Sequence, residues 1–254
     1  MRPTGTATLR VRIRWQVRYE SSKLVGWKGR SIFHSELLLP VQKSSSTMQV
    51  TYDSSCHMFI TFEGPDGSGK STLARMVADI MPATYLPSIP DFMNSSRELA
   101  DSLSSSDRFL FYHTCNSMRS RKIGKMLTET QSVVLDRYFH TTATYHQITL
   151  NVSLEGYLKH CLEPLNYTQP DALVFVNASP DIRRARLGKR RPNMWDEISF
   201  DNRIVEGYLE FLELAACPVI SIDTTDMDPT RSAEVIFTGL NKIRPGLKMR
   251  LEID

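Results

Sequence analysis

Residues 64–71 read Gly-Pro-Asp-Gly-Ser-Gly-Lys-Ser, the pattern G-x-x-x-x-G-K-[ST], and no other stretch of this 254-residue chain constrains its fold as strongly. The setting strengthens the pattern. Phe59–Glu63 (F-I-T-F-E) is a short β-rich run that stops at Gly64. Leu73, Met76, Val77 and Ile80 place one apolar stripe on a helix over Lys70–Met81, which Pro82 ends. A strand, a glycine loop and a helix in that order form a cradle for phosphates. Glycines let backbone amides turn inward, and the helix offers unpaired N–H groups and its positive dipole end to the same anion. The loop residues Gly64, Asp66, Gly67, Ser68, Gly69, Lys70, Ser71 and Thr72 are therefore read as the ATP-binding set. Lys70 reaches the β- and γ-phosphates, and the Ser71 hydroxyl is a ligand for Mg²⁺, a hard cation that prefers oxygen.

Strand and helix signals alternate after this loop. Thr84–Leu86 reads as a brief strand, 106–129 as a long helix, Ser132–Leu135 and Ala172–Val176 as strands, and Pro180–Arg191 as a basic helix. Phe200, Ile204, Tyr208 and Phe211 form another helical stripe, followed by a strand over Pro218–Ile222 and a helix over 229–243. The alternation predicts an α/β fold with an open parallel sheet of about five strands and helices on both faces.

Charge divides the chain. Residues 1–57 hold nine Lys/Arg against three Asp/Glu, whereas 58–254 hold 22 basic and 25 acidic residues. The body therefore gives no whole-domain reason to expect nucleic-acid binding. Residues 1–57 are expected to be a disordered or spurious extension, with an organellar transit peptide as the alternative; 58–243 are the folded domain and 244–254 a tail. The sequence reading accordingly expects a cytoplasmic protein, or a mitochondrial one if the leader is a transit peptide. No apolar run approaches the roughly 20 residues of a membrane helix. The four cysteines lie far apart, against a disulfide framework or zinc cage.

The strand Ser132–Leu135 leads into Asp136-Arg137-Tyr138. A carboxylate at the C-terminal end of a strand faces the ligand crevice of an open α/β sheet. There Asp136 can hold Mg²⁺ through water or accept a proton from the acceptor. No N-K-x-D base-reading loop and no acidic pair of the motor-ATPase type is present, which argues against GTPases and motors.

Four stretches together resemble the thymidylate kinase family of P-loop kinases: F-I-T-F-E-G-P-D-G-S-G-K-S-T (59–72), V-V-L-D-R-Y-F-H-T-T-A-T-Y-H (133–146), P-D-A-L-V-F-V-N-A-S-P-D (170–181) and F-D-N-R-I-V-E-G-Y-L-E-F (200–211). The resemblance runs over about 58–243, and its specificity lies in the combined order. It implies that Asp66 bonds the acceptor sugar's 3′-hydroxyl, that Tyr145 packs against the sugar and disfavours a 2′-hydroxyl, and that Arg137 lies near the acceptor phosphate or the phosphoryl in flight. It also implies a basic lid and, weakly, a homodimer.

Some members of that family carry an arginine within the glycine loop; here Gly67 and Ser68 stand in that part. Arg183, Arg184, Arg186, Lys189, Arg190 and Arg191 crowd the region after the fourth strand, which resembles the branch whose lid supplies the missing cation. Arg186 and Arg190, with Lys70, Asp136 and Arg137, are the candidate catalytic residues.

The acceptor side departs from the family. Tyr85-Leu86-Pro87-Ser88-Ile89-Pro90 replaces R-E-P-G, and Leu110–Asn116 (L-F-Y-H-T-C-N) replaces L-F-A-A-D-R-A, so two arginines that would hold the acceptor are lost. Arg97, Arg108 and Arg119 are the candidates to compensate. Phe111, Tyr112 and His113 are read as core in preference to a base-stacking wall, and His140 and His146 as surface or capping residues. The sequence thus points to ATP- and Mg²⁺-dependent phosphoryl transfer to a nucleoside monophosphate such as dTMP. A nucleoside or other hydroxyl acceptor, or a nucleotide-binding regulator with little catalysis, stays open.

Overall fold

The computed structural model describes residues 57–129, 131–151, 156, 166–188, 193–245 and 247, together with two N-terminal strands over 9–18 and 30–39. Its elements run β1 (Leu9–Arg18), β2 (Arg30–Leu39), β3 (Phe59–Glu63), α1 (Lys70–Ile80), β4 (Thr84–Leu86), α2 (Asp91–Asn94), α3 (Arg97–Ser102), α4 (Ser105–Thr128), β5 (Val133–Asp136), α5 (Phe139–Leu150) and β6 (Ala172–Asn177). Then follow α6 (Pro180–Leu187), α7 (Met194–Ile198), α8 (Asn202–Leu214), β7 (Val219–Asp223) and α9 (Pro229–Ile243).

The sheet order is β2-β1-β7-β6-β3-β5-β4. Five strands, β7 to β4 in that order, are all parallel, as the alternation of elements predicts. The glycine-loop strand β3 is central, paired to β5 by Phe59–Val133 and to β6 by Ile60–Ala172. The C-terminal ends of β3 and β5 therefore lie side by side, which brings the loop after Glu63 to Asp136 and Arg137. β1 and β2 pair antiparallel, and β1 runs beside β7 from Arg12–Ser221 to Arg14–Val219, where the sequence reading expects a disordered or spurious extension. The 9–18 sequence alternates Leu, Val, Ile, Trp and Val with four arginines and a glutamine, a period-two signal for a strand.

Both faces of the parallel strands are buried. Ile60, Phe62, Val174, Val176 and Ile220 pack against Leu73 and Val77 of α1 and Ile236 and Leu240 of α9. The alternate residues face the other way: Phe59, Val133 and Leu135 meet Ile123 of α4 and Phe139 of α5, and Leu173 and Phe175 meet Ile204 and Tyr208 of α8. Each such fully buried side chain is worth about 1.5–3 kcal/mol of transfer free energy. α4 begins where the Ser104 side chain accepts from the Asp107 amide, and α1 stops short of Pro82. α6 is shorter than the predicted 180–191, ending at Leu187, and 189–192 lie outside the described residues. α5 gives no amphipathic stripe because its residues 139–140 and 142–146 are all buried, so no polar face punctuates them. No helix among the described residues is long and apolar enough to cross a membrane.

Candidate active site

The glycine loop is wedged between two elements that only glycine could share. Gly64 has φ +142°, and a Cβ there would lie 2.0 Å from the Val176 carbonyl oxygen at the end of β6. Gly67 has φ +80°, and its Cβ would lie 2.7 Å from the Arg183 carbonyl oxygen of α6. α1 then begins with no side-chain cap and no acidic residue in its first turn, so the amides at its positive end are left for an anion.

Around this loop runs a cleft of about 650 Å³. Asp66, Gly67, Gly69, Lys70, Ser71 and Thr72 line one end. Gly64 and Ser68 do not line it; both are buried within the loop. Lys70 is itself buried, donates to the Pro65 carbonyl at 3.2 Å and lies 3.6 Å from the Asp66 carboxylate. Burial and the nearby Arg137 guanidinium push its pKa down to about 8, against the pull of Asp66 and Asp136.

The structure brings together the three residues that the resemblance assigns to the acceptor. The Arg137 guanidinium donates to Asp66 Oδ1 and, at 3.3 Å, to the Gly64 carbonyl. The Tyr145 hydroxyl donates to Asp66 Oδ2 at 3.1 Å, and Arg137 lies 5.6 Å over the Tyr145 ring. Burial, then the Asp66 charge, holds the Tyr145 phenol well above its ordinary pKa, so it remains a donor. Arg137 takes a left-handed backbone, φ +70°, at the turn after β5; this aims its side chain back across the mouth of β3.

Asp136 is buried at the end of β5. Tyr85 of β4 donates to its Oδ2 at 3.2 Å, while no donor among the described residues reaches the buried Oδ1. Beneath these groups lies Glu63, fully buried, accepting from the Tyr138 amide (2.9 Å), His140 Nδ1 (3.1 Å) and the Thr141 hydroxyl (2.6 Å). Burial alone would raise its pKa, but the hydrogen bond and charge of His140, and the bond from Thr141, carry it below the usual range. Sequence reasoning takes Glu63 only as the last residue of a strand; its role is to tie the glycine-loop strand to the Asp136–Thr141 turn.

Arg186 lines the cleft, yet its guanidinium is spent on protein: it donates to the carbonyls of Gly67 and Ser68 (both 3.3 Å) and to the Thr224 hydroxyl and carbonyl (3.0 and 2.9 Å). Arg183 braces the other side, donating to the Asp66 carbonyl at 2.8 Å and to Ser199. Both arginines hold the loop's outward carbonyls and so keep its amides facing inward. Arg184 is exposed, and Lys189, Arg190 and Arg191 lie outside the described residues.

At the far end the cleft is lined by Ser88, Ile89, Arg97, Tyr112, Cys115, Asn116, Thr142, His146 and Trp195. Tyr112 thus faces the cleft, although the sequence reads it as core. His146 is buried, contrary to a surface reading, and burial and the nearby Arg108 push its pKa down to about 3, so it is a neutral wall. His140 is buried on Glu63 for the same reason of packing. Of the compensating arginines, Arg97 lines the cleft; Arg108 covers Trp195 at 5.4 Å; and Arg119 donates to the Ile89 carbonyl at 2.8 Å.

A glycine loop opening a helix on the central parallel strand, with Asp136-Arg137 on the next strand and one cleft joining both, is the geometry of a phosphoryl-transfer site. Residues 62–232 match the family model described as thymidylate kinase. The chain belongs to the thymidylate kinase family. It is 24% identical over 181 residues to the thymidylate kinase of Staphylococcus haemolyticus, covering 66% of this chain and 89% of that one. It is 28% identical over 163 residues to a probable thymidylate kinase of Methanococcus vannielii, covering 61% and 78%. As a member of the family it is a P-loop phosphotransferase acting on a nucleotide, with ATP as the family's phosphoryl donor.

Proposed function

We propose that this protein transfers the γ-phosphoryl group of ATP to the 5′-phosphate of dTMP, giving ADP and dTDP. The observation that carries the reading is the cluster of Asp66, Arg137 and Tyr145 within the same cleft as Lys70 and the amides of α1. An oxygen of the acceptor phosphate attacks the γ-phosphorus in line as the bond to ADP breaks. The acceptor is already anionic, so positioning and charge neutralisation dominate and no general base is needed. Lys70 leaves Asp66 for the triphosphate. Arg137 spans the donor and acceptor phosphates, and Asp66 and Tyr145 receive the sugar.

The donor set fits Mg²⁺. Asp136 Oδ1 is a buried carboxylate oxygen that no donor among the described residues reaches, and Ser71 lines the same cleft, so hard oxygen donors are available. These two residues would hold the ion, directly or through water, and it would neutralise charge on the triphosphate.

One observation favours a second reading, a hydroxyl acceptor with Asp136 as its base. Beyond Arg137 the acceptor end offers a single cation among the described residues, Arg97, and otherwise Ser88, Ile89, Tyr112, Asn116 and Trp195. Incubation with ATP, Mg²⁺ and a panel of nucleosides and monophosphates separates the two. Formation of dTDP from dTMP supports the first; turnover of thymidine with none of dTMP replaces it by the second.

A further inference from the structure

Asp101 lies on α3 and does not line the cleft, yet its carboxylate grips three residues that do. Its Oδ1 accepts from the Tyr112 hydroxyl at 2.7 Å and from Trp195 Nε1 at 2.9 Å, and its Oδ2 lies 3.7 Å from Arg97 Nε. These partners come from α4, from α7 and from its own helix. The backbone of Asp101 adds a fourth tie. Its carbonyl accepts from Arg108 at 2.8 Å, and that guanidinium lies over the Trp195 ring. Tyr112 and Trp195 meet edge to face at 5.5 Å, and Trp195 meets Tyr145 and His146 in the same manner at 5.8 and 5.5 Å.

We infer that Asp101 is a positioning residue for the acceptor: it fixes Tyr112 and Trp195 as the wall of the far end of the cleft and turns Arg97 toward it, without touching the substrate. The inference rests on the reading that the acceptor occupies that end. A tyrosine or tryptophan ring is oriented by its χ1 and χ2 torsions, and one carboxylate oxygen that accepts from both the phenol O–H and the indole N–H fixes the two rings relative to each other. Trp195 follows the basic stretch 189–191 in sequence and Arg186 precedes it. The two flanks of that stretch are thus tied to different ends of the cleft, Arg186 to the glycine loop and Trp195 to the acceptor wall. Asp101 is what ties the second flank.

Steady-state kinetics on the full chain, with ATP and dTMP varied in turn, tests this. Asp101→Ala raises KM for dTMP by about tenfold or more and leaves KM for ATP within about twofold, the size of a shared buried hydrogen-bond acceptor. Asp101→Asn, which keeps a carbonyl oxygen for both donors, stays within about threefold of wild type in both constants. Trp195→Phe raises KM for dTMP as well, and adding Asp101→Ala to it costs less than the two changes apart, because they remove one bond in common. Equal changes in both KM values, or an asparagine variant as damaged as the alanine one, assign Asp101 a purely structural role and overturn the inference. Calorimetric binding of dTMP, which needs no turnover, separates the two levels of the argument. If wild type binds dTMP and Asp101→Ala binds it equally well, the inference alone falls; if wild type binds none, the proposed function falls and the inference with it.

Discussion

Arg137 and Asp66 stand 71 residues apart in the chain, and their side chains pair inside the cleft. The pair joins the loop after β3 to the turn after β5, and Lys70 and Tyr145 converge on the same Asp66 carboxylate. Without a ligand, one carboxylate therefore neutralises the two cations that a triphosphate and an acceptor phosphate would claim. Replacing Arg137 tests its part. Arg137→Gly relieves the left-handed backbone, worth about 1 kcal/mol, but removes the guanidinium. The expected result is a fold of near-normal thermal stability whose kcat falls by about a hundredfold or more. Arg137→Lys keeps a charge but loses the fork that bridges Asp66 and the Gly64 carbonyl, and it should recover only part of that loss.

Lys70 gives a pH signature. Its ammonium is held at a pKa of about 8 by burial first and Arg137 second. Polyphosphate binds the charged form, so the affinity for ATP is full below pH 8 and falls as the pH rises through that value. At pH 9.5 calorimetry should report binding about thirtyfold weaker than at pH 7, with a proton taken up on binding. Affinity that stays level between these values would mean that Lys70 does not face the triphosphate.

Tyr85 donates to one oxygen of Asp136, and no donor among the described residues reaches the other. Asp136→Asn should lower kcat by about a hundredfold or more, since a charged ligand at the centre of the reaction is lost. Tyr85→Phe removes a single hydrogen bond, worth about 1 kcal/mol, and should cost about fivefold. Its effect should shrink as the Mg²⁺ concentration is raised. A tyrosine that merely filled space would show no such dependence on the metal.

Glu63 is the buried anchor of the site. Glu63→Gln places an amide NH₂ where the carboxylate receives donors from the Tyr138 amide, His140 or Thr141. Urea unfolding should show a loss of about 2–4 kcal/mol. The pH dependence follows from its lowered pKa. The stabilisation is present above the ordinary glutamate range and is lost as the pH falls through the lower folded value, so the stability gap between wild type and Glu63→Gln should narrow in acid.

The legible parts of this protein are those carried by local pattern. Phe59–Glu63, Gly64–Ser71 and the stripe of α1 stand in the sequence as they stand in the fold, because a strand buried on both faces, a glycine turn and an amphipathic helix each mark themselves. Asp66, Arg137 and Tyr145, assigned by resemblance, are brought together as one cluster. What was hidden depends on partners distant in sequence. α5 has no stripe because residues 139–140 and 142–146 are all buried, and so His140 and His146 look like surface residues. Trp195 carries no signal until Asp101, 94 residues earlier, accepts from it. Arg186 reads as a lid cation, and its bonds to Gly67, Ser68 and Thr224 add a bracing role that spacing alone does not express.

The most direct test follows the label from ATP carrying a radioactive γ-phosphate. Purified protein with Mg²⁺ and dTMP should place the label in dTDP, and Lys70→Ala, folded as judged by circular dichroism, should place none there. Label that remains in ATP with wild type, or equal transfer by Lys70→Ala, would contradict the account.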